Sequence, residues 1–295
     1  MDTITHTLFG FAIYGAFKKD KEAKKYNRAL LVTSIAASQI PDIDVVSKWW
    51  DTQGLYQMWH RGITHSVFLT PLWALLFFLL AWAFFRIKDK RLFFILWIAV
   101  LIHITSDLFN AWGTGFLEPF SQVRITFGTI PIVNLVFWVV ILAAFFIAKR
   151  KTISSNKVYR IAWLVMAIHV VAQSLYGYFI YQHYEKQYDQ IALSADFVPF
   201  NFAVFGKKEG KVDIIDTSIF TEDRIRTTLQ SNEKADLEML FKKRPEAKTL
   251  YQWAPFVVIV DDDKYLGLYD PRFYRDGQSF LFEKIEKAQL KSSLQ

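Results

Sequence analysis

Between residues 66 and 182 the chain alternates long apolar runs with short polar breaks. The runs cover residues 66–85, 92–110, 132–148 and 161–182, each ~17 to 22 residues and so near the length a helix needs to cross a hydrocarbon core of ~30 Å. Two shorter apolar segments precede them, residues 3–17 and 29–40, joined by "KKDKEAKKYNR". At a rise of ~1.5 Å per residue these reach only ~20 Å, so they are thin or tilted spans or a hairpin resting against the bundle. From residue 185 the pattern changes. Short β-rich pieces, "FNFAVF", "VDIID" and "FVVIV", stand between turn signals, "KKEG", "DDDK" and "RDGQ", with one helical stretch near 233–243. The expected fold is mainly α: a polytopic helical membrane bundle over residues 1–184, with four spans or six if both short segments cross. A small α/β or mostly β extracytoplasmic domain follows over 185–295.

Composition agrees with a membrane reading, since 53% hydrophobic and 17% aromatic residues exceed what a soluble chain carries. A formal charge of +7 would suggest nucleic acid in a soluble protein, but its placement argues otherwise. Fifteen of the eighteen Lys and Arg in residues 1–184 lie in three segments, 18–28, 86–91 and 149–160. That alternation follows the positive-inside rule and reports orientation. It puts those segments in the cytoplasm and puts 40–65, 110–131 and the C-terminal domain outside, with no nucleic-acid partner expected. The opening "MDTITHTL" lacks a basic n-region and a cleavage site, so it is not read as a signal peptide. No cysteine is present, which excludes thiolate metal sites, disulfides and cysteine nucleophiles. No phosphate-binding loop or nucleophile elbow is found either.

On this topology the polar residues out of place in apolar surroundings fall at one level, the outer ends of the spans. His6 lies in the first segment, "PDID" (Asp42, Asp44) follows the second, His60 and His65 of "HRGITHS" precede the third, and His103 and Asp107 end the fourth. A lone histidine on an apolar helix is more often a satisfied interior residue than a ligand. The His103 and Asp107 pair is stronger, because four residues apart on a helix share a face and ionisable groups in a span are costly. Imidazole and carboxylate are the ligands of catalytic zinc and similar divalent ions. Seven such groups exceed the needs of one tetrahedral ion and suit one to two ions bridged by a carboxylate, zinc first and manganese as the alternative.

Asp42 and Asp44, two apart, would face the same way in extended chain. Gly62 would allow the turn that joins His60 to His65, with Thr64 capping the next helix. Asp44 and Asp107 are also the candidate catalytic carboxylates. Arg61 is placed either on a substrate phosphate or carboxylate or as a headgroup anchor. Asn110 is a candidate to orient a ligand, and Glu118, the sole acid of 110–131, is a candidate additional ligand or general base. His169 and His183 are left out, the first as an interior hydrogen-bonded residue and the second as part of an aromatic belt.

The order "MDTITHTLFG", "PDID", "HRGITHS", "HITSDLFNAWGTG" resembles the bacterial YdjM/YfhP-type family of inner-membrane proteins, described as membrane-bound metal-dependent hydrolases. The resemblance covers roughly residues 1–150. More distantly, the same order is similar to the zinc-dependent phospholipase C and P1 nuclease superfamily, whose members bind a cluster of zinc ions and cleave phosphodiesters. The later His-x-x-x-Glu pair of those enzymes has no counterpart, because His169 is followed by Gln173. The resemblance implies a metal-dependent hydrolase. Its place in the bilayer makes a phosphoester of a membrane lipid or lipid-linked molecule the expected substrate, and the inner or plasma membrane its location. The alternative readings are a divalent-cation transporter and a non-catalytic scaffold with a structural metal site.

Overall fold

The computed structural model describes residues 1–17 and 23–288, so the basic segment 18–28 lies partly outside the described residues. In chain order the helices are α1 (Thr3–Ala16), α2 (Lys24–Ala37), a 3-10 helix (Ile40–Trp49), α3 (Tyr56–Trp59), α4 (Thr70–Phe85), α5 (Lys90–Leu108), α6 (Leu135–Lys149) and α7 (Ser155–Tyr184). Strands β1 (Gln190–Ala195), β2 (Asn201–Lys208), β3 (Lys211–Ser218) and β4 (Thr221–Gln230) follow. Then come α8 (Glu238–Lys243), α9 (Pro245–Trp253), β5 (Val258–Asp261), β6 (Tyr265–Tyr269), β7 (Tyr274–Arg275), β8 (Gln278–Ser279) and β9 (Phe282–Glu286). Contacts divide the chain into two units, Met1–Asp44 with Arg61–Ser174 and Val45–His60 with Leu175–Gln295. The division falls inside α7 rather than after it, because Ile180 and Tyr184 of its last turns pack with Leu193, Phe202 and Val204.

The first unit is built around α5. Leu92, Leu96, Ala99, Val100 and Ile104 are fully buried along it, against α4, α2 and α1. α4 instead keeps Leu72, Leu79 and Phe84 on its outside, as a helix apolar all round must when its surroundings are lipid. Side-chain caps set the starts: Asp2 accepts from Ile4 and Thr5 for α1, Asp89 from Arg91 for α5, and Asn134 from Phe137 for α6. α1 crosses α2 at Gly10, where a Cβ would stand 2.6 Å from the Ile35 Cα. Only a residue without a side chain permits that approach.

Among the described residues three helices are long and apolar enough to cross a membrane, Val67–Phe85, Lys90–Leu108 and Ser155–Tyr184, and a fourth if Lys24–Ala37 and Ile40–Trp49, bent by 48°, act as one. α6, with 15 residues, reaches ~22 Å and falls short of the ~30 Å core. Asn134 caps it late, which shortens the apolar run seen in the sequence.

The second unit holds an antiparallel meander in the order β1-β2-β3-β4, a second sheet β5-β6-β9, and the hairpin β7-β8. The expected turns stand where the sequence put them. Glu209 and Gly210 join β2 to β3 with φ of +50° and +73°, and Asp276 and Gly277 join β7 to β8 with +48° and +82°, the paired left-handed geometry of a tight hairpin. The helix expected near 233–243 is α8, and α9 follows it.

Candidate metal centre

α5 ends in "HITSDL", and its i, i+4 spacing sets His103 and Asp107 one turn apart on its buried face. The "PDID" stretch is helical, not extended as the sequence suggested. In a 3-10 helix of ~3 residues per turn, positions two apart diverge by ~120°. Asp42 and Asp44 therefore approach opposite edges of one imidazole. Asp42 Oδ1 lies 3.4 Å from His65 Nε2, and Asp44 Oδ2 lies 3.3 Å from His65 Nδ1.

Both buried rings are held from behind. His103 Nδ1 donates to the Ser38 carbonyl at 2.6 Å. Since a carbonyl only accepts, the neutral ring carries its proton there and its lone pair on Nε2. Thr64 Oγ1 donates to Asp44 Oδ2 at 2.6 Å and lies 3.0 Å from His65 Nδ1. With its proton committed to Asp44, that hydroxyl accepts from Nδ1–H, which leaves the lone pair of His65 on Nε2 as well. Such support from behind is how histidine ligands are oriented toward metals.

Four lone-pair atoms thus converge: the two Nε2 atoms, Asp42 Oδ1 and Asp107 Oδ2. The Nε2 atoms are 3.2 Å apart. His65 Nε2 is 3.4 Å and 3.3 Å from the two oxygens, and His103 Nε2 is 3.6 Å and 3.7 Å from them. Neither oxygen takes part in a hydrogen bond among the described residues, although both are buried. A regular tetrahedron around an ion with bonds of ~2.0–2.1 Å has edges of ~3.3–3.4 Å. The donor set fits a metal ion in size and chemistry. The oxygens lie within 4.8 Å of each other, and two carboxylate charges that close repel by about 3 to 4 kcal/mol at an effective dielectric constant of ~20. A cation between them removes that repulsion. Asp42, His65, His103 and Asp107 can accordingly hold a metal ion.

Asp107 faces a second set of groups through Oδ1, which pairs with the Met1 amine and lies 3.5 Å from His6 Nε2 and 3.4 Å from Asn110 Nδ2. His6 stacks on His103 at 3.6 Å between centroids, and neither of its ring nitrogens forms a hydrogen bond among the described residues. Arg61 is turned inward, not toward headgroups. Its Nε lies 3.3 Å from Asp107 Oδ2, Nη1 donates to Asn110 Oδ1 at 2.9 Å, and Nη2 donates to the Met1 carbonyl at 3.0 Å. Its backbone N–H donates to Asp44 at 2.8 Å. Two carboxylates, Asp42 and Asp107, converge on the two histidine Nε2 atoms, a set that favours a bound cation.

The structure thus brings together His6, Asp42, Asp44, His65, His103 and Asp107, with Arg61 and Asn110 beside them. His60 is not among them. Arg61, at φ +58°, reverses the chain after it, and His60 stacks on Tyr56 in the second unit. Glu118 contributes no atom to the four, although its backbone carbonyl accepts from the Ser66 hydroxyl. Burial raises its carboxyl above the ordinary range, and Arg124 works against that rise. Thr64 binds Asp44 instead of capping a helix; Ser66 caps residues 67–69. Sequence reasoning missed the Ser38 carbonyl and the Met1 amine, which are backbone groups with no residue-type signal. It also missed Arg124, whose Nη1 donates to the Arg61 carbonyl at 3.0 Å. His169, left aside, lies 3.2 Å from Asn134 Nδ2.

Residues 1–183 match the model of a family described as YdjM inner membrane protein. The chain belongs to the YdjM family. The matched region contains every residue of the metal group and ends one residue before α7 does, so the sheets lie outside the YdjM match. Uncharacterized protein YfhP of Bacillus subtilis (strain 168) is 34% identical over 137 residues, covering 44% of this chain and 41% of that protein. The match thus spans about two-fifths of that relative's length. No solved structure matches, and the likeness to zinc-dependent phospholipase C and P1 nuclease rests on motif order alone.

Proposed function

We propose that this YdjM-family protein is a membrane-embedded, metal-dependent hydrolase acting on a phosphoester of a membrane lipid or lipid-linked molecule at the outer face. The observation that carries the reading is the convergence of four ligand atoms, from Asp42, His65, His103 and Asp107, within 4.8 Å of one another. Asp42, His65, His103 and Asp107 would hold the ion, zinc being the best fit to two nitrogens and two oxygens. His6, beside the other oxygen of Asp107, marks where a second ion would share that carboxylate. A divalent ion in such a site supplies Lewis-acid chemistry at neutral pH.

The chain's own groups position this set. Arg61 and Asn110 fix Asp107, while Asp44 and Thr64 fix His65. Asp42 is the accessible member, its side chain 20% exposed against 0% for the other three, so a substrate would enter past it. The placement of the basic segments supports an outer-leaflet position for that edge.

The burial of three of the four ligands favours a second reading, a closed structural site. A transporter would need ligands near the midplane, and this group stands at the last turns of α5. One set of experiments separates these readings. Purified protein should carry about one to two zinc or manganese ions, and His65→Ala should lose them. With metal it should turn over one class among phospholipids, lipid phosphates, nucleotides and acyl esters. Chelation should stop turnover and leave the helices folded. Unfolding on chelation selects the structural site, metal-dependent cation flux in proteoliposomes selects transport, and full turnover in His65→Ala removes the site from catalysis. Cysteines introduced at Gln57 and Gln122 should label with an impermeant thiol reagent in intact cells, and those at Lys88 and Ser154 should not. The reverse pattern would put the site on the cytoplasmic side.

A further inference from the structure

The far end of α5 carries a second site of different character. A cavity of about 600 Å³ lies between α2, α5 and the start of α7, with Arg91 and Arg160 at its polar end and Leu30, Phe94, Ile95 and Ile98 along its wall. It is remote from the metal group: Arg91 and His103 are twelve positions apart on one helix, ~18 Å at 1.5 Å per residue.

Arg91, Phe94, Ile95 and Ile98 stand at i, i+3, i+4 and i+7, one stripe of α5. The guanidinium is thus at the helix start, where the span meets the headgroups, and the apolar positions follow it ~10 Å toward the midplane. Phe94 and Ile98 are 56% and 43% exposed, so the slot opens toward hydrocarbon. Arg160 closes the polar end and is held by its Nε, which donates to the Ala16 carbonyl at 3.1 Å. The acid in the lining among the described residues, Asp89, is already engaged, accepting from the Arg91 backbone N–H at 2.9 Å and bonding Tyr26. The cavity therefore presents positive charge at its head and apolar surface along its length.

We propose that this cavity binds one anionic phospholipid, its phosphate between Arg91 and Arg160 and one acyl chain along Phe94, Ile95 and Ile98. Charge complementarity selects this occupant. Lys24 and Lys25 at the start of α2, Lys90 at the start of α5 and Lys88 in the loop before it surround the cavity and draw anionic lipid to this leaflet, and an apolar slot adds nothing for a free phosphate. The inference stands apart from the hydrolase reading, because none of these residues belongs to the metal group.

The test uses the full chain in nanodiscs of phosphatidylcholine with a minority of phosphatidylglycerol, counting retained lipid by native mass spectrometry and following thermal unfolding. Wild type should retain phosphatidylglycerol over phosphatidylcholine by about tenfold or more, as charge-assisted contacts to a phosphate imply. Arg91→Gln with Arg160→Gln should abolish the preference. Ile98→Trp, which fills the slot and keeps both charges, should lower retention and serves alone if the double variant does not fold. Lys149→Gln with Lys157→Gln, an equal charge loss on the same side of the bundle, should retain the preference. The proposal is overturned by equal retention of the two lipids in wild type, by equal losses in the arginine and lysine pairs, by full retention in Ile98→Trp, or by inorganic phosphate protecting as well as the lipid.

Discussion

The two ends of α5 solve the placement of charge in opposite ways. At the Lys90 end the charged groups reach the surface and their partners are few and local, with Asp89 half-buried and capping the helix and Arg91 exposed at the membrane edge. At the Leu108 end His103 and Asp107 are fully buried, and each is held by partners from distant chain positions, Ser38, Arg61 and His65 among them. Exposed charges at an interface cost the folded state little, paired or not. Buried ones are stable only as a set, because removing one partner strands the rest without water. One end can thus change with little loss of stability, while the other is committed to a single arrangement.

The largest effect that would sharpen this contrast is expected from Asp107→Ala. It leaves the Arg61 guanidinium and the Met1 amine without their carboxylate, and breaking a buried pair costs about 3 to 5 kcal/mol. Thermal or denaturant unfolding in detergent should show that loss, and a change under about 1 kcal/mol would erase the contrast. Asp44→Asn comes next. It keeps an acceptor for the Arg61 N–H and weakens the hold on His65, so metal affinity should fall about 10- to 100-fold, as read by competition with a chelator. Unchanged affinity would take Asp44 out of the supporting set.

At the other end, Asp89→Ala removes a helix cap worth about 1 kcal/mol and the bond to Tyr26, and should leave metal affinity untouched. Any coupling of Asp89 to metal content would mean that the two ends are not independent. The smallest effect concerns Glu118, in the loop after α5. Its folded carboxyl titrates above its unfolded value, so the folded state holds the proton more tightly. Wild type should then lose a little stability as pH rises from about 4.3 through the raised value, whereas Glu118→Gln should show no such step. Identical pH profiles of thermal stability for the two proteins would contradict this.

Much of this was legible in the chain itself. The spans built from 66–85, 92–110 and 161–182 agree with the helices Val67–Phe85, Lys90–Leu108 and Ser155–Tyr184, because an unbroken apolar run has one solution in lipid, a helix that satisfies its own backbone. The hairpins at Glu209–Gly210 and Asp276–Gly277 were equally plain, since few sequences tolerate two successive left-handed residues. The spacing of His103 and Asp107 fixed their shared face.

What the sequence could not say was how far separate segments converge. A 3-10 helix at Ile40–Trp49 and a left-handed Arg61 decide that Asp42 and Asp44 flank one imidazole and that His65, not His60, joins the group. Local propensity hardly distinguishes these conformations from a turn or extended chain, and their cost is met by contacts with residues far along the sequence. Composition and periodicity by themselves determined that this is a helical membrane protein with a β-rich C-terminal region and an excess of metal-ligand residues. Only the tertiary structure decided which four atoms meet, because a site of this kind is defined by distances of a few ångströms between segments that the linear order leaves up to 65 residues apart.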